Sequence, residues 1–278
     1  MKKSILLLAL VLISSSAFSQ KKEKVKGSKI VTTEIKKIEN FEALEVLDNL
    51  EVFLVKGTQC GLEIEADDNL HDAIDIVLNG STLKLSTLKS AFGYKKLSIR
   101  ITYTDDFKSV IARNEASITA LANVELDSVT FKSYDESNLF LNSKSKNITI
   151  LMDDKSKAEL NSKAEKTNIT LSKNAKLKAL ITSKELTFDM YQKTDAVVEG
   201  DIDSLKLRLD NNAAFEGKKL ITKTAELTAE LYSKVSILVD TSIIIEASGK
   251  SEIQLFGDQK IELKRFVDSA ILMKKPTK

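Results

Sequence analysis

From about Phe107 onward, apolar and polar positions alternate in a pattern that recurs nine times. Each recurrence carries a large apolar residue, here called the anchor: Ile111, Phe131, Ile150, Leu171, Phe188, Leu207, Leu227, Ile245 and Leu263. Six positions later stand Ser117, Ser137, Ser156, Leu177, Thr194, Ala213, Ser233, Ser251 and Ser269, small or polar in all but one case. Apolar residues then tend to return eight and ten positions after the anchor, as at Leu141, Leu160 and Leu255. Successive anchors are 20, 19, 21, 17, 19, 20, 18 and 18 residues apart, a mean of 19. Alternation at period two predicts strands with one buried face. Two such strands per repeat, divided by a polar corner and recurring at a fixed period, predict a solenoid in which each repeat forms one coil. Nine coils spaced about 4.8 Å apart would make a rod roughly 40–45 Å long. An antiparallel sandwich of short strands would alternate in the same way but leaves the anchor register unexplained.

The amino-terminal part is patterned differently. Leu44-Glu45-Val46 and Val52-Phe53-Leu54 repeat the six-residue offset, so a coil is expected there as well. Asp67 to Ala73 reads as a cap and a short helical turn. Ile76 to Leu85, with Asn79-Gly80 at its centre, predicts a β-hairpin, because a tight turn needs positive φ. Leu97, Ile99, Ile101 and Tyr103 predict a further strand. Residues 20–35 are Lys-rich and weakly patterned, and are expected to form a flexible lead-in. Residues 36–106 then form an N-terminal cap and first coil layer, continuous in one domain with solenoid repeats over 107–278. The fold class expected is all-β: a single-stranded parallel β-helix (β-solenoid), right-handed from strand twist, of about nine to eleven coils with a hairpin-containing cap.

Composition sharpens this reading. The single proline, Pro276, lies beyond the last repeat, as expected where interior strands must donate every N–H. Lys274 and Lys275 beside it would discourage another chain from pairing on the open end. Residues 1–19 read as a signal peptide: Lys2 and Lys3, an apolar run from Ile5 to Ile13, then Ala17 and Ser19 at −3 and −1 of a cleavage before Gln20. No later stretch is apolar enough for a membrane-spanning helix, so an exported periplasmic or cell-surface protein without a transmembrane segment in its mature chain is expected. Without Lys2 and Lys3, the remaining 40 basic residues balance the 40 acidic ones. Nucleic acid is thereby excluded as a partner, since it demands a cationic surplus.

Little chemistry is on offer. Cys60 is the only cysteine, so no intrachain disulfide forms, and it reads as a small apolar or turn residue. His71 is the only histidine and reads as a solvated turn residue. Together they rule out the usual zinc ligand sets, and no glycine loop for phosphate is present. No catalytic, cofactor-binding or metal residues are therefore assigned, and no cofactor is expected. Carboxylates remain. Stacking the corners puts Glu115, Asp135 and Asp154 in one column, beside Asn114, Tyr134 and Asp153. Such a column would raise one pKa for acid catalysis or bind Ca²⁺, but Lys155, Lys176 and Lys193 in the next column read as a mixed, solvated corner. Tyr134 and Tyr191 share a column and form a candidate ligand platform. The position-six serines are read as satisfying backbone groups at the bend. Two functions compete. One is a non-enzymatic, adhesin-like binding module whose partner is an envelope polysaccharide or protein. The other is a carbohydrate-active enzyme using the acidic column.

The segments Phe41-Glu42-Ala43-Leu44-Glu45-Val46, Asn49-Leu50-Glu51-Val52, Ala66-Asp67-Asp68-Asn69-Leu70, Leu83-Lys84-Leu85 and Ser109-Val110-Ile111-Ala112 resemble the DUF2807 family. Its members are called putative auto-transporter adhesin, head GIN domain proteins, and are common in Bacteroidetes. The resemblance spans roughly residues 38–275 and implies a β-solenoid and export. It implies no catalytic residues. The family's Gly-Ile-Asn triplet stands here as Asp48-Asn49-Leu50, and its Gly-rich turn as Asn114-Glu115-Ala116-Ser117. An auto-transporter also needs a barrel of lipid-facing strands, and the repeat pattern leaves no room for one, so other machinery is expected to carry the protein outward.

Overall fold

The computed structural model describes residues 22–276, so the signal-peptide reading falls outside the described residues. The amino-terminal strands are β1 (Lys24–Lys26), β2 (Val31–Lys36), β3 (Ala43–Val46), β4 (Glu51–Lys56), β5 (Gly61–Asp67), β6 (Ile74–Asn79), β7 (Thr82–Thr87), β8 (Ser90–Phe92) and β9 (Leu97–Tyr103). A 3₁₀ turn at Asp68–Ala73 joins β5 to β6. The repeats follow as β10 (Ser109–Ala112), β11 (Ser117–Ala120), β12 (Ser128–Ser133), β13 (Asn138–Lys144), β14 (Asn147–Met152), β15 (Lys157–Leu171), β16 (Lys176–Tyr191), β17 (Asp195–Asp210), β18 (Ala214–Ala229), β19 (Lys234–Ala247), β20 (Glu252–Phe256), β21 (Lys260–Phe266) and β22 (Ile271–Lys274).

From β10 on, every pairing between these strands is parallel, each strand from β10 to β20 pairing one coil back and one coil on, and the chain winds as a β-solenoid of about nine turns. Two faces run along the rod. The first holds β10, β12, β14 and the second halves of β15 to β19. The second holds β11, β13 and the first halves of β15 to β19. Inward side chains alternate with outward ones along each strand, as in β15, and the inward ones fill one continuous apolar core.

The anchor column needs two corrections of register. Val110, not Ile111, pairs with Phe131, and Val110 is fully buried while Ile111 is half-buried and faces outward. Ile169, not Leu171, continues the column between Ile150 and Phe188, and it makes the neighbouring spacings equal. Leu171 is also buried, one inward position on, beside Met152 and Met190. The column runs Leu83, Leu44, Val110, Phe131, Ile150, Ile169, Phe188, Leu207, Leu227, Ile245 and Leu263. At position six the buried column reads Ala116, Ser137, Ser156, Ala175, Thr194, Ala213, Ser233 and Ser251. Ser137 does bond the bend, reaching the Tyr134 carbonyl at 2.7 Å and Ser133 Oγ at 2.7 Å. The hydroxyls of Ser156, Thr194, Ser233 and Ser251 have no such partner, and the position of Ser133 is taken in the next coil by Met152.

The first coil is β3 and β4, stacked under β10 and β11. Residues 57–107 leave this coil, fold across the end of the rod, and return on its other side. There β7 and β9 add parallel rungs. Then β6 and β5 reverse direction, and β2 pairs antiparallel to β5. The hairpin forms at Gly80-Ser81, with positive φ on Gly80 alone. Residues 20–35 are not a bare lead-in: β1 pairs with β8, and β2 forms an edge of the second face. Their alternation is weak because β2 has only one neighbour and little buried surface.

Asp67 explains how this leading segment is held. Its carboxylate is fully buried and does not cap the 3₁₀ turn. It accepts the backbone N–H groups of Lys29, Lys95 and Lys96 at 2.8, 3.0 and 3.0 Å, and Gly27 packs so closely that a Cβ there would strike it. Burial alone would raise its pKa, but the three N–H bonds outweigh that and hold it below the ordinary carboxylate value. A depressed folded pKa adds stability that is complete above the unfolded value and disappears as pH falls through the folded one. Asp67→Asn is therefore expected to lower Tm at neutral pH and to flatten the fall in Tm below about pH 4, as read by circular dichroism melts from pH 3 to 7. An unchanged acid limb would remove Asp67 from the acid sensitivity.

Candidate functional site

The corner singled out by sequence lies between the first and second faces. In every coil its chain takes a left-handed turn, at Asp48, Asn114, Asp135, Asp154 and onward. Aspartate and asparagine tolerate this conformation and fill it in most coils, while Lys173, Gln192 and Leu231 adopt it in others and Gly249 in one. Asp135 and Asp154 do stack in one column, together with Asp48 and Asn114. Glu115 does not belong to it. It lies one position on, in register with Glu136 and Lys155, because counting from Ile111 displaced this coil by one residue. Asp153 stands beside Tyr134, as the Asp153 N–H to Ser133 carbonyl bond requires.

Some charges at this corner are paired between coils, while Glu115 and Asp135 have no ion pair among the described residues. Lys173 Nζ lies 3.0 Å from Asp153 and 3.7 Å from Asp154. Lys155 lies 2.8 Å from Glu136. Burial would raise the pKa of Asp153, yet the Asp154 N–H, Lys173 and Ser172 together hold it low, the opposite of what a general acid needs. Tyr134 and Tyr191 share a column, with Asp153 and Ser172 between them. Arg113 stacks over Tyr134 at 4.4 Å, and Arg208 over Tyr191 at 6.0 Å. These arginines are tied to Glu45 and Glu230, which occupies part of the aromatic surface a ligand would use.

His71 is buried rather than solvated. Its Nε2 is 2.8 Å from Thr32 Oγ1, and Nδ1 is 3.4 Å from Glu34, so it pins β2 over the end of the core. Sequence alone misplaces it because the strand that covers it is the one read as a lead-in. Cys60 is half-buried against the core.

A second surface is absent from the sequence reading. Leu121, Phe140, Leu180, Val197 and Ile221 all lie on the outward side of the second face and are 42–53% exposed. Leu121 and Phe140, and then Leu180 and Val197, form a zigzag apolar seam interrupted in one coil by Glu159 and Asn161, while Ile221, in register with Asp201, is set apart from it by the Glu199–Lys219 ion pair. Lys157, Lys163 and Lys178 border it and have no ion pair among the described residues, whereas Lys176 is 3.6 Å from Asp195. Two shallow grooves flank the seam. One of about 640 Å³ is bordered by Thr119, Phe140, Leu180 and Val197, and one of about 300 Å³ by Phe140, Lys157, Lys178 and Val197. A third groove of about 680 Å³ follows the other corner, where Lys56, Lys146 and Lys184 are each paired with a carboxylate. The seam has a sequence signal: the apolar triplets Leu139-Phe140-Leu141, Ala179-Leu180-Ile181 and Ala196-Val197-Val198 break the alternation, so the middle residue of each must face water. No group of three or more His, Cys, Asp or Glu side chains placed to hold a metal occurs among the described residues.

Residues 40–181 and 166–258 match the family model described as "Putative auto-transporter adhesin, head GIN domain", DUF2807. No curated protein matches the chain. Among solved structures, a putative adhesin from Parabacteroides distasonis superposes with a TM-score of 0.67 at 11% identity, covering 91% of this chain and 100% of the other. A putative adhesin from Parabacteroides merdae gives 0.61 at 14% identity, covering 91% and 99%. A putative lipid binding protein from Parabacteroides distasonis gives 0.60 at 16% identity, covering 91% and 100%. At these identities the likeness is one of fold.

Proposed function

The chain belongs to the DUF2807 family, and from that premise we propose that it is an exported, non-enzymatic, adhesin-like module that binds a molecule of the cell envelope or surface through the seam on its second face. The observation that carries this reading is the apolar seam itself. A solenoid needs its inward columns to fold, but nothing in the coil requires Phe140, Leu180 and Val197 to face water. On a flat parallel sheet such residues offer a long, rigid contact surface that loses little entropy on binding. The bordering lysines suit an anionic or hydroxyl-rich partner. Relatives named adhesins and one named a lipid binding protein set the two ligand classes to try first. The acidic corner gives the carbohydrate-cleaving alternative little support: Glu115 stands outside the column, Asp154 lies 3.7 Å from Lys173, and neighbouring Asp153 is paired with the same lysine. Export follows the signal-peptide reading of residues 1–19.

The test is binding of the purified mature chain to immobilised envelope polysaccharides and to vesicles of phosphatidylcholine with and without phosphatidylglycerol. The triple variant Phe140→Ser, Leu180→Ser, Val197→Ser is expected to bind at least roughly tenfold more weakly while keeping the parent's circular dichroism spectrum, because the three side chains lie outside the inward core columns. Equal binding by parent and variant would move the contact elsewhere. Cleavage of any of these glycans, lost in Asp135→Asn, would replace this reading with the enzymatic one.

A further inference from the structure

The two ends of the rod are unequal. At the amino-terminal end the core is closed by the antiparallel strands β2 and β6 and by the 3₁₀ turn, which buries Leu70 and Ala73. At the other end β21 and β22 each pair on one side only among the described residues. There the inward columns end in water: Ile261 is 43% and Leu263 50% exposed, while Ile243 and Ile245, one coil earlier, are buried. A solenoid leaves such an end open only at a cost, because neighbouring coils supply most of its stability.

The charges say what fits there. Along the rod, cations pair with carboxylates one coil away: Lys155 with Glu136, Lys166 with Glu185, Lys176 with Asp195, Lys219 with Glu199, and Arg208 with Glu230. Lys157, Lys163 and Lys178 lack such a pair in mid-rod, but the last coil, from Lys260 on, has none among the described residues, and its five cations outnumber its two acids, Glu262 and Asp268. Lys260, Lys264, Arg265, Lys274 and Lys275 carry no ion pair among the described residues, although acids and bases balance over the mature chain. They stand where a further coil would place their carboxylates. We propose that the open end formed by β21 and β22 is a docking site for an extended segment of a partner protein in which acidic residues alternate with apolar ones. That segment would add a strand to the rod, covering Ile261 and Leu263 and supplying carboxylates to the five cations. A second copy of this chain fits less well. End against like end, it sets the cations against one another, and its opposite end is already closed over its core. The bulge that leaves Lys264 out of the ladder between Leu263 and Arg265 adds to this selection against self-pairing.

The proposal is independent of the seam. It is tested with the mature chain and a fluorescent peptide alternating glutamate with valine, followed by anisotropy and by hydrogen exchange. The expected results are saturable binding that weakens with salt, new amide protection confined to β21 and β22, and no binding of the same peptide carrying lysine for glutamate. Lys264→Glu with Arg265→Glu is expected to weaken binding at least roughly tenfold, while Lys155→Glu, in mid-rod, leaves it unchanged. Both sites are exposed, so neither variant threatens folding. Three results would overturn the proposal: no binding at about 1 mM peptide, protection elsewhere than β21 and β22, or concentration-dependent self-association that Lys264→Glu abolishes.

Discussion

Replacing Gly200 by valine is expected to destabilise the protein by about 4 kcal/mol or more, enough to leave much of it unfolded at physiological temperature. Gly200 sits inside β17, not in a turn, with φ of +121°. That value lies well beyond the left-handed well that the corner aspartates and asparagines occupy near +60°. A Cβ placed on it would come 2.1 Å from the carbonyl oxygen of Ile181 in the preceding coil, so the obstacle is backbone and cannot rotate away. Gly200 pairs with Ile181 in an unshifted ladder, whereas the neighbouring bulge belongs to β18, where Gly217 and Lys218 stand against Val198. Gly80→Ala separates strain from clash. Gly80 has φ of +58° in the hairpin and nothing within 4 Å of a Cβ, so about 1 kcal/mol is expected there. Urea denaturation of both variants measures the difference. Equal losses would mean that the approach to Ile181 relaxes at little cost.

The parts of the fold that were legible in the sequence are those set by repetition. The period survives insertions of one or two residues, so the solenoid shows through even where single anchors slip. The slips have physical causes. In Ser109-Val110-Ile111-Ala112 three adjacent residues are apolar, and a four-residue strand gives too few alternations to decide which points inward; burial of Val110 and Ala112 decides it. In β15 both Ile169 and Leu171 point inward, and only pairing with β14 and β16 tells the columns apart. One slipped residue at Ile111 then carried Glu115 into the acidic column. The amino-terminal cap was harder to read, because its strands pair with partners far away in sequence and its edge strand buries little. Asp67 illustrates the limit. As a residue before a helical turn it reads as a cap, while its actual partners are backbone groups of two distant loops. The seam leaves a signal in its apolar triplets, but alternation marks only buried positions, and the middle residue of a triplet falls outside that pattern.

Phe188→Ala should be the most damaging of the simple truncations in the middle of the rod, at about 3–5 kcal/mol. Phe188 is fully buried in the anchor column, between Ile169 and Leu207, and its ring meets that of Phe215 edge to face at 5.5 Å. Phe215 is itself fitted to its surroundings: Gly217 lies beneath its ring, where a Cβ would come 2.4 Å from Cε1. Removing the Phe188 ring therefore empties space that neither neighbour can refill, since Phe215 is held over Gly217 and the backbone is fixed by pairing on both sides. A globular core would share this loss among many contacts. A solenoid passes it only to adjacent coils, so the defect weakens one junction between two otherwise intact stacks. Unfolding is then expected to lose its single cooperative transition, with amides on β18 to β20 exchanging before those on β10 to β13 in native-state hydrogen exchange. Phe188→Leu, which keeps most of the volume, should cost less and preserve one transition. If Phe188→Ala instead lowers protection uniformly from β10 to β20, the coils cooperate over a longer range than nearest neighbours, and the rod unfolds as one body.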